Sequence, residues 1–307
     1  MEKKRVLITG GSGLLATNWA CAIRGTWDVT LATHQHLVKL NGTNSFQLTL
    51  DNLKLLGQQF DRLTPDLVVH TAGMTSVDGC EQSPESAMQV NAVIAKNIAT
   101  VTANRNIPLV HISTDHLFDG ERSFYTETST TSPVNEYGRT KELAEKWVQT
   151  ENSNALILRT NFFCWGNQLR QSFSDWLIYS LREDKQLDLF EDVYFSPILA
   201  DTLALIAHEL VEKKVSGVYN LVGDERISKY DFAMKLCQEF SLPTELVRST
   251  QIGDVKLQAK RPKDMSLDNT KIQKVTGRSI GTVAQFLSVL HNQELEGRRV
   301  ELLEATS

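Results

Sequence analysis

The chain has 307 residues, 41% of them hydrophobic and 22% charged, with a net charge of −5. That length buries a large core without disulfide staples. The mild negative charge, with no long run of Lys or Arg, argues against a nucleic-acid or anionic-membrane partner. No stretch approaches the ~18 apolar residues of a membrane helix. The four cysteines, Cys21, Cys80, Cys164 and Cys237, form no CxxC pair, and the seven histidines show no metal-ligand spacing. No metal is therefore expected, and scattered free thiols fit a reducing cytoplasm.

The first half alternates short apolar runs with helical patterns, the mark of βαβ units on a parallel sheet. In chain order the strands are predicted at 5–9 (RVLIT), 28–32 (DVTLA), 67–71 (LVVHT), 108–113 (PLVHIS) and 155–160 (ALILRT). They are dense in β-branched residues and lack clean polar alternation, as strands buried on both faces should. Val6–Ile8 runs directly into glycines, so it reads as a strand and not as a leader. Helices are predicted near 13–24, 51–62, 84–105 and 136–150, the third opening at Ser83-Pro84.

After about 165 the rhythm breaks. Residues 169–197 mix aromatics and charges, 198–212 read as an apolar helix, 217–222 as a strand, 228–240 as a helix and 249–268 as a polar loop. The expected fold is α/β, a doubly wound Rossmann-type sheet with a smaller C-terminal α/β domain. Residues 1–165 form the dinucleotide domain, to which the chain returns around 198–225. Segments 166–197 and 226–300 form the smaller domain, and 301–307 a tail.

The first strand leads into TGGSGLLA over 9–16. A turn at Gly10, a bare backbone at Gly13 and a small Ala16 suit a pyrophosphate held at a helix N-terminus. Leu14 and Leu15 follow into the same helix. The second strand ends Ala32-Thr33-His34-Gln35-His36, with no carboxylate to take the adenosine ribose hydroxyls. This leans to NADP over NAD, with Thr33 and His34 or His36 near a 2′-phosphate.

In YGRTK, Tyr137 and Lys141 share one helical face. A phenol with a pKa of ~10 moves protons poorly at neutral pH, and a neighbouring ammonium is expected to lower it. The 108–113 strand runs into Thr114 and Asp115, and a hydroxyl at the C-terminal end of a parallel strand lies where ligands bind. Thr114, Tyr137 and Lys141 are the expected catalytic set.

Together these motifs resemble an extended short-chain dehydrogenase/reductase, closest to the dTDP-4-dehydrorhamnose reductase family. The likeness runs through the glycine loop, TPDLVVHTAGMTSVDGCE (64–81), VNA (90–92), STDHLFDG (113–120) and YGRTK. It continues more loosely into FSPILADTLA (195–204), GVYNLVGDERISKYDFA (217–233) and RPKDMSLD (261–268). The resemblance implies that Tyr137 is the general acid/base, with Lys141 and Thr114 beside it. It implies that Gly10, Gly13, Asp51, Ala72 and Gly73 serve the cofactor and that Asn91 braces the site. Thr75, Asp115, His116, Asn161 and Arg261 fall to a nucleotide-sugar substrate, with Arg261 suited to a diphosphate.

The chain departs from that pattern on the substrate side. His116 follows STD where the family has Tyr, Phe162 stands where a Trp is usual, and Leu48 replaces the first acid of a D-x-x-D. The resemblance therefore implies a class of substrate and not one sugar. Its leading implication is a keto-sugar reductase of the cytoplasm, with a homodimer allowed for. The alternatives are an epimerase or dehydratase on the same scaffold, and a regulatory role like that of the related methionine adenosyltransferase subunit.

Overall fold

The computed structural model describes residues 3–306. Seven parallel strands form one sheet: β1 (Arg5–Thr9), β2 (Asp28–Thr33), β3 (Thr43–Gln47), β4 (Leu67–His70), β5 (Leu109–Ile112), β6 (Leu156–Arg159) and β7 (Gly217–Asn220). Their spatial order is β7-β6-β5-β4-β1-β2-β3. The order reverses direction at β1, which opens a crevice at the carboxyl ends of β1 and β4.

Helices cover both faces: α1 (Leu14–Ile23), α2 (Leu53–Leu63), α3 (Val77–Gln82), α4 (Pro84–Met88), α5 (Ile94–Ala103), α6 (Glu136–Glu151), α7 (Phe173–Arg182), α8 (Ala200–Glu212), α9 (Lys229–Phe240), α10 (Thr270–Thr276), α11 (Val283–Leu295) and α12 (Arg298–Ala305). Successive strand residues feed opposite cores. Val6 and Ile8 pack toward α1 and α8, whereas Leu7 packs toward α2, α5 and α6. Every residue of β4, β5 and β6 is buried, which is why those strands read as mostly apolar, without polar alternation.

The predicted strands and helices of the first half are all present, with one added strand, one short added helix, α3, and one interruption. The added strand is β3, whose sequence TNSFQ is polar because it lies at the open edge of the sheet. The interruption falls in the helix expected over 84–105, which is α4 and α5 joined by a π-helical turn at Gln89–Val93. The sheet does regain the chain at β7, parallel to β6.

Beyond residue 165 the chain adds short strand pairs and helices α7 and α9–α11, packed on the same core as β1 and α1. Leu187–Phe190 pairs with Val247–Thr250, and Tyr194–Phe195 with Ile227–Ser228. Phe163, Phe173, Phe195 and Phe232 form an aromatic centre there. The expected tail is corrected: residues up to Ala305 continue α12, held because Leu302 and Ala305 are buried and Glu301 pairs with Arg24. No helix of the described residues is long and apolar enough to cross a membrane.

Candidate active site

A cleft of about 590 Å³ opens where the strand order reverses. Gly10 begins its floor with φ +70°, and a side chain there would sit 2.8 Å from the Ala72 Cα. Only glycine fits that turn. Gly13 closes the turn by donating to the Gly10 carbonyl at 2.7 Å and stands at the N-terminus of α1. The free amides of that helix end face the cleft, which suits an anion. Leu14, Leu15, Ala72 and Gly73 line it as expected.

Asn91, in the π-helical turn, is the brace. Its Oδ1 accepts from the Met74 amide at 2.7 Å, while its Nδ2 donates to the Met74 carbonyl and to Thr140 Oγ1. One amide side chain thereby ties the loop after β4 to α6. A π-turn re-aims one residue of a helix, and here it supplies that aim.

Thr114, Tyr137 and Lys141, the expected catalytic set, line one cleft. Asn135 caps α6 by accepting from Gly138 N at 2.9 Å, which fixes Tyr137 and Lys141 one turn apart, both buried. A side chain at Gly138 would collide with the His116 carbonyl, so this glycine lets the end of β5 approach the helix. Thr114 lines the cleft with Tyr137; its Oγ1 donates to Asp115 Oδ1 and accepts from His116 N, each at 3.2 Å. Asp115 accepts from Asn161 Nδ2 at 2.5 Å. His116 lies edge-on to the Tyr137 ring, 5.5 Å between centres.

The electrostatics differ from the sequence expectation. Tyr137 packs with Cys80 and Ala87, flanked by Met74 and Val77. Burial pushes its hydroxyl up to about 12, against the opposing pull of Thr114. Lys141 does not lower it. Its ammonium donates to the Ile112 carbonyl at 2.6 Å, and burial brings it down to about 8 against the opposing pull of Glu145. Tyr137 therefore keeps its proton at neutral pH and, with the cleft as it stands, is a weaker acid than a free phenol.

Thr75, Asn91, Asp115, His116 and Asn161 all line the cleft, whereas Thr33, His34, Asp51 and Arg261 do not. Thr33 is buried at the end of β2, His34 and Asp51 are exposed away from the cleft, and His36 takes the lining position. Outside the lining, Arg261 pairs with Asp78 at 3.0 Å and donates to the Ala259 carbonyl. Sequence reasoning missed Ser12, Phe162 and Arg170 in the lining. It also missed Lys229, a half-buried ammonium 3.3 Å from the Phe195 ring centre, which burial brings down to about 8 against Asp115. Nothing in the local pattern marked Lys229, which follows a helix cap as many surface lysines do.

Fold, glycine loop and the Thr/Tyr/Lys convergence define an extended short-chain dehydrogenase/reductase, a class of NAD(P)-dependent oxidoreductases. Comparison with known proteins narrows this. The family model described as RmlD substrate binding domain matches residues 4–292, and the chain belongs to that family. It is 30% identical to the probable low-salt glycan biosynthesis reductase Agl14 of Haloferax volcanii, over 92% of this chain and 96% of that protein. It is 28% identical to methionine adenosyltransferase 2 subunit beta of Rattus norvegicus, over 89% of this chain and 83% of that one. In structure it is similar to dTDP-4-dehydrorhamnose reductase from Bacillus anthracis, solved with NADP. That match has a TM-score of 0.84 at 23% identity and covers 95% of this chain and 100% of the other.

Proposed function

We propose that this chain reduces a keto group on a nucleotide-linked sugar, with NADPH as the reductant and Tyr137 as the proton donor. The observation that carries the reading is a buried Tyr137 beside Thr114 at a strand end, in the same cleft as the glycine loop. The glycine cradle fits a dinucleotide, since a side chain at Gly10 would fill it. Bound there, the reduced nicotinamide supplies a hydride to the carbonyl carbon. Tyr137 gives its proton to the carbonyl oxygen as the C=O electron pair moves onto it, leaving an alcohol. Thr114 stands beside the phenol, and Lys141, its ammonium on the Ile112 carbonyl, lines the same cleft. Asp115, held by Asn161, is placed to accept from sugar hydroxyls.

NADP is the preferred cofactor. No carboxylate ends β2, and His36 lines the cleft on that side. Calorimetric titration is expected to show tighter binding of NADP than of NAD. NAD binding tenfold tighter would contradict it. The four free, buried thiols support a cytoplasmic setting.

The substrate class has its own check. With cofactor present, at least one of dTDP, UDP, GDP or CDP is expected to raise the melting temperature, because mass action stabilises the folded state. No shift with any of them would count against the nucleotide-sugar reading.

A second reading is supported by the likeness to the methionine adenosyltransferase subunit, nearly level in identity with the reductase. Fold does not separate the two. Turnover does.

A further inference from the structure

We propose that Arg170 closes over the cofactor's pyrophosphate as a clamp, an inference that rests on reading the cleft as a dinucleotide site. Residues Asn167–Arg170 form a tight turn between the aromatic core and the cleft mouth. Asn167 N donates to the Arg170 carbonyl at 2.9 Å, and Asn167 Oδ1 accepts from the amides of Leu169 and Arg170 at 3.0 Å each. A side chain at Gly166 would collide with Asp175, which fixes where the turn begins. The turn is therefore built and aimed.

Its aim is the cofactor side of the cleft. Asn167 Nδ2 donates to the Ser12 carbonyl, inside the glycine loop, at 3.1 Å. Just before the turn, Asn18 of α1 donates to the Trp165 carbonyl at 2.9 Å. Arg170 Nη1 reaches across the mouth to Thr75 Oγ1 at 2.8 Å. Its partners thus lie on the glycine loop, on the helix after it and on the loop after β4. The sugar side is held separately, by the bond between Asp115 and Asn161.

Charge makes the same point. The lining residues with full charge are Asp115, Lys141 and Arg170. Lys141 is buried and committed to the Ile112 carbonyl, so among the described lining residues Arg170 is the exposed permanent cation. A pyrophosphate carries two negative charges at neutral pH, and a planar guanidinium matches its oxygens in a bidentate fashion. The bond from Arg170 to Thr75 has a neutral acceptor. A phosphate oxygen makes a stronger, charge-assisted one. Cofactor entry exchanges the first for the second, which pins the turn over the pyrophosphate.

The test is fluorescence titration of NADPH into the full chain and into Arg170→Ala, Arg170→Lys and Thr75→Val, at low and high salt. Arg170→Ala is expected to weaken NADPH roughly tenfold and flatten the salt dependence, as loss of one charge-assisted contact does. Arg170→Lys is expected to fall between, keeping charge without the fork. Thr75→Val frees the guanidinium and is expected to bind NADPH at least as tightly as the parent. Affinity for dTDP at saturating NADPH is expected to stay within about twofold in Arg170→Ala, since one lost charge-assisted contact would cost far more. NADPH binding unchanged in Arg170→Ala, or a loss confined to dTDP, overturns the clamp while leaving the dinucleotide site intact. A parent chain that takes up no dinucleotide brings down both.

Discussion

Tyr137→Phe is expected to cut turnover by about 10² or more while leaving NADPH affinity nearly unchanged. That is the usual scale for a lost acid/base group, and the phenol stands beside Thr114 and edge-on to His116. The replaced hydroxyl holds its proton up to about 12, so it presents no charge to the cofactor at neutral pH, and NADPH binding should not depend on it. Thr114→Val is expected to act on turnover too, because it removes the hydroxyl beside the phenol. Lys141→Met is expected to harm both turnover and cofactor affinity. Burial lowers Lys141 from the ordinary lysine value to about 8, so its charge is present below that pH and lost above it. Cofactor affinity in the parent should therefore fall as pH rises through about 8, and Lys141→Met should flatten that step. Steady-state kinetics beside NADPH titrations at several pH values check all three variants. Near-normal turnover in Tyr137→Phe would mean the motif is inherited scaffold.

The second large effect concerns stability. Arg159 on β6 and Glu145 on α6 form a buried ion pair, with Nη2 to Oε2 at 2.8 Å and Nε to Oε1 at 3.0 Å. Both side chains are 6% exposed, so solvent screening does little for either. Arg159 Nη1 already lacks a partner. Glu145→Ala would strand a guanidinium in the protein interior, and breaking a buried pair in this way costs about 3–5 kcal/mol. Urea unfolding is expected to show that loss as a lower midpoint at unchanged slope. Glu145→Gln keeps an acceptor and should lose less. A loss under about 1 kcal/mol, the scale of an exposed pair, would show that water reaches Arg159. Glu145 also supports the charge of Lys141, so the same variant should bind NADPH more weakly at neutral pH.

What was legible in the sequence follows from burial. β1, β4, β5 and β6 are covered on both faces, and their apolar runs announce it. The glycine loop and the Tyr137/Lys141 pair are local patterns whose spacing is fixed by a turn and by a helix. β3 was silent because an edge strand of Thr, Asn, Ser and Gln has little to bury. Helix α7 was hidden by its aromatic content, although Ser172 caps it by accepting from Asp175 N. Helix α11 carries a capping box at Thr282 and Gln285 that a closer reading would have found. The lowering of the Tyr137 pKa by Lys141 failed for a reason no spacing reveals. The ammonium turns to a backbone carbonyl, and the apolar wall around the phenol decides its pKa. The Arg261 partner, Asp78, lies far away in sequence, so no local pattern announced that pair. Arg170 could not be found from sequence at all, since its place on the cleft depends on a turn that meets the glycine loop only in three dimensions.

The claim that this chain is a sugar-nucleotide reductase is tested most directly by incubating it with NADPH and a 4-keto nucleotide sugar. Loss of NADPH absorbance and formation of the reduced sugar would be followed together. The account predicts one NADPH consumed for each sugar reduced, with both signals abolished together in Tyr137→Phe. Conversion of the sugar without net loss of NADPH would point to an epimerase. Tight NADPH binding with no turnover on any such sugar, in a chain shown to be folded, would contradict the account and favour the regulatory role.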